Sequence, residues 1–176
     1  MKTIFSVVLL GLLLFGCSRT KQKQQHMLET ENHRKTEIAE QNKNTVLVFF
    51  KSLENEDVEA VVDLFAEDGR HHNPYASGIF PEGASGKKEI RNYWAPVFPN
   101  FDGMEFPIEE IHAMEDPAMV FVKYQGKITL KNNAGINKNM YYSTFKFDSE
   151  GHITEYVEIF NPITAARGFG MLDKIK

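Results

Sequence analysis

The chain of 176 residues holds one cysteine, Cys17, and one tryptophan, Trp94. A single thiol excludes an intrachain disulfide and any zinc site built on several thiolates. Basic excess is also missing, because 20 Lys and Arg face 24 Asp and Glu, for a formal charge of −4. A chain of that sign cannot neutralise a run of phosphates, which argues against nucleic acid as a partner. No apolar run reaches the roughly 20 residues that span a bilayer. Gly83, Gly86, Gly168 and Gly170 form no phosphate-binding loop, and no serine sits in a nucleophile-elbow context. What the chain does have is 42% hydrophobic and 12% aromatic residues. That is enough to bury one core, so wholesale disorder is excluded and a single domain is expected.

The N-terminus carries a localisation signal. Lys2 precedes a nearly continuous apolar run, Ile4 to Phe15, whose length suits the core of a secretory signal rather than a membrane span. It ends in Leu14-Phe15-Gly16-Cys17, which resembles a bacterial lipobox. The resemblance implies cleavage of residues 1–16 as a lipoprotein signal peptide and lipidation of Cys17. Ser18 in place of Asp after the cysteine implies, in a diderm cell, the periplasmic side of the outer membrane. Acyl chains contribute about 0.8 kcal/mol per buried methylene, so several hold a protein firmly. An ordinary signal peptide with a chance cysteine is the alternative. Residues 18–35 are polar and mixed in charge, and with Cys17 are expected to be a tether; a helix over the distal part is the alternative.

Residues 36–176 are expected to form the domain. Thr36 could cap a helix through about Leu53, with Ile38, Val46, Phe49, Phe50 and Leu53 mostly on one face. Asn55 or Asp57 starts a second helix, ending at Gly69, and a short stretch from Arg70 to Tyr75 leads into a loop, Ala76 to Gly86. Ser85 is the expected cap of a third helix, Lys87 to Ala95. The period then changes to two. Strands are expected over Phe106–Glu115, Ala118–Leu130, Met140–Asp148 and His152–Phe160, with a last helical turn over 163–169. Helices followed by strands make an α+β fold, a curved antiparallel sheet wrapped on N-terminal helices.

The segment Glu158-Ile159-Phe160-Asn161-Pro162-Ile163-Thr164-Ala165-Ala166-Arg167-Gly168-Phe169-Gly170 resembles the SnoaL-like branch of the nuclear transport factor 2-like superfamily, nearest the phenazine-biosynthesis A/B group. Gly86 with the Lys87–Tyr93 helix, Phe98-Pro99-Asn100-Phe101, and Asp116-Pro117 before the long strand extend the likeness over roughly residues 36–172. The resemblance implies a cone-like fold with a pocket at its open end, a homodimer through the sheet, and no cofactor. It does not fix an activity, since this superfold serves many functions.

Glu158 is the first candidate residue. Strand alternation puts it on one face with Tyr156 and Phe160, and Ile153, Val157 and Ile159 on the other. Periodicity leaves open which face is inside; the resemblance implies that the Glu158 face lines the pocket and that Glu158 is the acid–base group. A carboxyl among aromatic rings is poorly hydrated and can give and take protons, as an isomerase or cyclase requires. Where the phenazine group carries a histidine on the third helix, this chain has Tyr93, a hydrogen-bond donor rather than a proton shuttle at neutral pH. His71 and His72 alternate on a short strand, so they cannot both ligate one metal there. His72 is taken with Glu158 and Tyr93 as catalytic, and Trp94, Tyr124, Tyr156 and Phe160 as pocket lining. His112 and Glu110 form no cage with other ligands, and no metal is expected. The reading is a lipid-anchored domain that binds a small, largely apolar molecule, in its enzymatic version as an isomerase or cyclase. The alternative is a non-catalytic envelope module with a closed pocket.

Overall fold

A computed structural model describes the backbone of residues 4–174 and the side chains of residues 21–174 apart from Asn133. The expected signal segment 1–16 and the Cys17 thiol therefore lie outside the described side chains. The first helix, α1, runs Ile4–Glu54, and the chain divides into two compact units at Glu37/Ile38. Among the described residues no helix is long and apolar enough to cross a membrane.

In the first unit the backbone of 18–35 is helical, as the alternative for its distal part had it, and the helix expected to start at Thr36 begins well before it. Gln, Lys, Glu, Met and Leu are good helix formers, and local pairs add to them. Gln25 donates to Glu29, and Arg34 holds Glu31 at 2.8 Å. Thr36 is inside the helix, its hydroxyl bonded to the Asn32 carbonyl, and caps nothing.

The second unit contains the core. Val46, Phe49, Phe50 and Leu53 recur at helical spacing on α1 and are all buried. Asp57 caps the next helix, α2 (Val58–Asp63), by accepting from the Ala60 amide. α2 stops short of Gly69, because residues 65–72 pair as strand β1 (Phe65–His72). Next come β2 (Gly83–Ser85) and α3 (Lys87–Trp94). Gly86, not Ser85, is the N-terminal cap of α3. Its φ of 80° is a conformation glycine adopts freely, and no side chain caps the helix.

Five further strands complete the sheet: β3 (Phe101–Glu105), β4 (Ile108–Ala113), β5 (Met119–Leu130), β6 (Ile136–Phe147) and β7 (Ile153–Phe160). Strand order is β2-β1-β7-β6-β5-β3, with β4 also paired to β5. β3 pairs with Lys127–Leu130 and β4 with Val120–Tyr124, so the strand expected over 106–115 is β4 alone, and β3, just before it on the same neighbour, was not anticipated. They break at Phe106-Pro107, where the Phe106 amide donates to Glu54 on α1. The fold is the expected α+β curled sheet on helices, with one correction: the sheet is mixed. β1 runs parallel to β7 and every other pairing is antiparallel. Parallel neighbours need a long crossover rather than a hairpin, and most of the domain lies between these two.

Alternation holds where pairing is regular. Val120, Val122, Tyr124 and Ile128 of β5, and Tyr141, Phe145 and Phe147 of β6, all face the core. Ile153 was expected on the opposite face from Tyr156, yet both are fully buried. Lys146 pairs with Glu155 while Phe147 pairs with Ile153, leaving Thr154 as an extra residue that reverses the parity.

Candidate functional site

Glu158 is near the C-terminal end of β7, opposite Ser143 of β6. Its side chain is 13% exposed and lines an enclosed cavity of 170 Å³. β7 also supplies Phe160, α3 supplies Tyr93 and Trp94, and Tyr141 comes from β6. Phe101, Met104 and Phe106 wall the β3 side. Ala165 of α4 (Pro162–Gly168) and Phe169 close another, with Asn161 capping that helix through two amides. Eight lining side chains are aromatic, and Glu158 is the one charged group among them.

Both carboxylate oxygens are held from behind. Oε2 is 3.3 Å from His71 Nε2, and Oε1 is 3.5 Å from the Tyr124 hydroxyl, at the edge of hydrogen-bond range. His71 is clamped as a ring. It stacks on Tyr156 at 4.7 Å and on Trp94 at 5.5 Å, with the Tyr93 edge at 4.6 Å. The Tyr124 hydroxyl is 2.9 Å from that of Tyr156 and 3.4 Å from Ser143. These contacts pair most of the buried polar atoms behind Glu158, but the His71 Nδ1 has no hydrogen-bond partner.

Asn73 sets Tyr93. Its Nδ2 donates to the Tyr93 oxygen at 2.9 Å and to the Pro81 carbonyl at 3.0 Å. The Tyr93 oxygen therefore accepts from Asn73 and keeps its own proton to give elsewhere. Burial pushes the Tyr93 phenol well above the ordinary tyrosine range, and the negative charge of Glu158 adds to it against the Asn73 hydrogen bond. Tyr141 moves the same way for the same two leading reasons, as do the fully buried Tyr124 and Tyr156. All four phenols are donors, not bases, throughout the neutral range.

Of the residues named from sequence, Glu158, Tyr93, Trp94 and Phe160 come together on the cavity wall. Tyr124 and Tyr156 are behind Glu158 rather than on the wall, supporting it through Tyr124. His72 points away. It lies on the other face of β1, in an open groove of 730 Å³ with Arg70, Glu82 and Asn92, and its neighbour His71 is the imidazole beside Glu158. Parity explains the exchange, since His71 pairs in register with Tyr156, which shares the Glu158 face. Asn73 was also missed, although the same parity puts it with His71. His112 and Glu110 form a surface pair on β4, and among the described residues no three His, Cys, Asp or Glu converge as a metal set.

A profile of the SnoaL-like domain matches residues 46–156. No curated protein matches the chain significantly in sequence. Solved structures share the fold. A phenazine biosynthesis-related protein from Pseudomonas aeruginosa superposes with a TM-score of 0.68 at 22% identity, over 79% of this chain and 91% of that one. An LEH-like epoxide hydrolase of Mycobacterium tuberculosis gives 0.59 at 19% identity, over 77% and 91%. SalBIII, an epoxide hydrolase/cyclase-like enzyme of pyran ring formation in salinomycin, gives 0.60 at 19%, over 69% and 92%.

Proposed function

Because the chain belongs to the SnoaL-like domain family, we propose that its cavity binds a small, largely apolar molecule and that Glu158 exchanges protons with it in a cofactor-free isomerisation or cyclisation. The observation that carries this reading is the Glu158 carboxylate on the wall of an aromatic cavity, with its two oxygens held by His71 and Tyr124. A carboxylate fixed in this way meets a ligand C–H without having to reorganise, which is where most of the benefit of general base catalysis arises. It takes the proton from one carbon and returns it to another. The Tyr93 hydroxyl, its oxygen already accepting from Asn73, is left to donate to an oxygen that gains charge on the way. A cavity of 170 Å³ is close to the roughly 150 Å³ that holds a benzene ring, so the bound portion is about one ring in size.

The rival, a non-catalytic module with a closed pocket, would require Phe and Tyr side chains to fill this space. The open cavity favours the binding reading. Native mass spectrometry of the protein identifies any retained ligand. On that ligand, Glu158→Gln is expected to lower turnover by about 10²- to 10⁴-fold. Unchanged turnover and unchanged affinity in the variant would sink the proposal.

We further propose that Cys17 carries the lipid, holding the domain at the bacterial envelope on the periplasmic side of the outer membrane in a diderm cell, and that the domain forms a homodimer through its sheet. The supports are the Leu14-Phe15-Gly16-Cys17 sequence and the family resemblance. Metabolic labelling with palmitate should mark the protein and fail for Cys17→Ser. Sedimentation should give a dimer; a monomer at all concentrations removes that point.

A further inference from the structure

We propose that the cavity selects a small organic ammonium ion and rejects carboxylates. This deepens the reading above and rests on the cavity being the ligand site, but not on turnover.

Glu158 is the one charged group on the wall, and no Lys or Arg lines the cavity. The groups facing its carboxylate are His71 and Tyr124 by contact, and Tyr93, Tyr141 and Tyr156 through space. Only His71 among these can carry positive charge. Lys and Arg side chains pair instead with acids away from the cavity, among them Arg91 with Glu59, Lys87 with Glu67, Lys123 with Glu109 and Glu110, and Lys127 with Glu105. The charge of Glu158 reaches all four surrounding phenols and raises each of them.

Buried charges are normally paired. His71 is the one protein group in contact that could carry a countercharge to this carboxylate, and it holds only Oε2, so a ligand cation would pair with it from the cavity side. The walls suit the same ligand. Rings of Tyr93, Phe101, Phe106, Tyr141 and Phe160 surround the space, and aromatic rings attract an alkylammonium that cannot be well hydrated there. A carboxylated ligand would meet Glu158 with no arginine or lysine to receive it. Each Glu158 oxygen accepts about two hydrogen bonds, so contacts to His71 and Tyr124 leave acceptor capacity toward the cavity. The Tyr93 hydroxyl remains for an oxygen on the same molecule.

Three isosteric probes separate the possibilities: choline, the neutral 3,3-dimethyl-1-butanol and the anion 3,3-dimethylbutanoate. Their size is comparable to a single ring. Trp94 is the only tryptophan and is on the cavity wall, so intrinsic fluorescence of the full chain reports occupancy. At pH 8 choline should bind saturably and about tenfold tighter than the alcohol, and the acid should not bind. Glu158→Gln should bring choline down to about the affinity of the alcohol. Binding of the alcohol or acid as tight as that of choline overturns the inference. So does a Glu158→Gln variant that keeps choline affinity, or the absence of a saturable choline signal. A tight neutral probe would overturn only the cation preference, because the cavity would still be a site for a small apolar molecule.

Discussion

Gly126→Ala tests the wall of the cavity through a residue that never touches a ligand. Gly126 is on β5, facing the ring of Tyr141 across the β5–β6 pair. A Cβ there would be 2.5 Å from Tyr141 Cε2, about 1 Å inside an ordinary carbon–carbon contact. The neighbouring ring atoms, at 3.2 and 3.3 Å, are also too close. Tyr141 has little freedom to retreat. It is 5% exposed, stacks on Tyr124 at 4.9 Å and 9°, and accepts a hydrogen bond from Asn137. Overpacking of this kind costs about 1–3 kcal/mol. For a chain of this length each kcal/mol moves the melting temperature by about 2–4 °C, so a fall of about 2–12 °C is expected. Tyr141 lines the cavity, so choline affinity should change along with stability. Thermal unfolding of Gly126→Ala, Tyr141→Leu and the double variant measures the coupling. Leucine removes the ring that clashes, so the alanine penalty should shrink to a few tenths of a kcal/mol in the Tyr141→Leu background. The reasoning fails if Gly126→Ala melts with the parent protein, or if its penalty is the same with and without the Tyr141 ring.

Further expectations concern separate parts of the structure. Asn73→Ala should free the 74–82 segment, since Asn73 bonds the Pro81 carbonyl by its side chain and the Glu82 carbonyl by its amide; amide exchange there should rise, with about 1–3 kcal/mol of stability lost. Asp57→Ala removes the α2 cap and should cost about 1 kcal/mol in urea unfolding. Burial acts to raise the Asp148 carboxyl but is outweighed by the His152 and Glu150 amides and the His152 ring, which hold it below its ordinary value. Its contribution is thus present above the unfolded value near pH 4 and lost as pH falls through the lower folded value, so Asp148→Asn should flatten the acid limb of a stability profile. Tyr93, Tyr124, Tyr141 and Tyr156 are raised by burial first and Glu158 second. Their contribution is full below about pH 10 and falls above it as the unfolded chain ionises, so absorbance titration should show these four phenols ionising only with unfolding.

Much of this was legible in the sequence because period-two patterns survive wherever pairing is regular. The shared face of Tyr156, Glu158 and Phe160 followed from spacing alone, and so did the β5 and β6 core faces. What spacing could not carry was tertiary. Nothing local in Arg70-His71-His72-Asn73 says which parity is inward; that is settled by the in-register pairing of His71 with Tyr156, a strand some 80 residues away. The bulge at Thr154 inverted Ile153 because an extra residue leaves no mark on composition. The strand expected to start at Phe106 starts at Ile108, with the unanticipated β3 before it, and the break between them depends on Glu54 of a distant helix taking the Phe106 amide. Residues 18–35 looked unable to order themselves by burial, and the helix they adopt rests on intrinsic propensity and neighbouring side-chain pairs.

The parallel seam between β1 and β7 also constrains the order of events during synthesis. Among the described residues β1 has β2 as its only other partner in the sheet, and its long neighbour β7 is made more than 80 residues later. His71 and Glu158 meet across 87 residues. A nascent chain can assemble the α1 helix and the β5–β6 hairpin from nearby residues, but it must hold β1 unpaired along that edge until the end. Pairings of such long sequence separation form late and slowly. A ribosome-bound fragment ending before Ile153 should therefore have hairpin structure and no cavity.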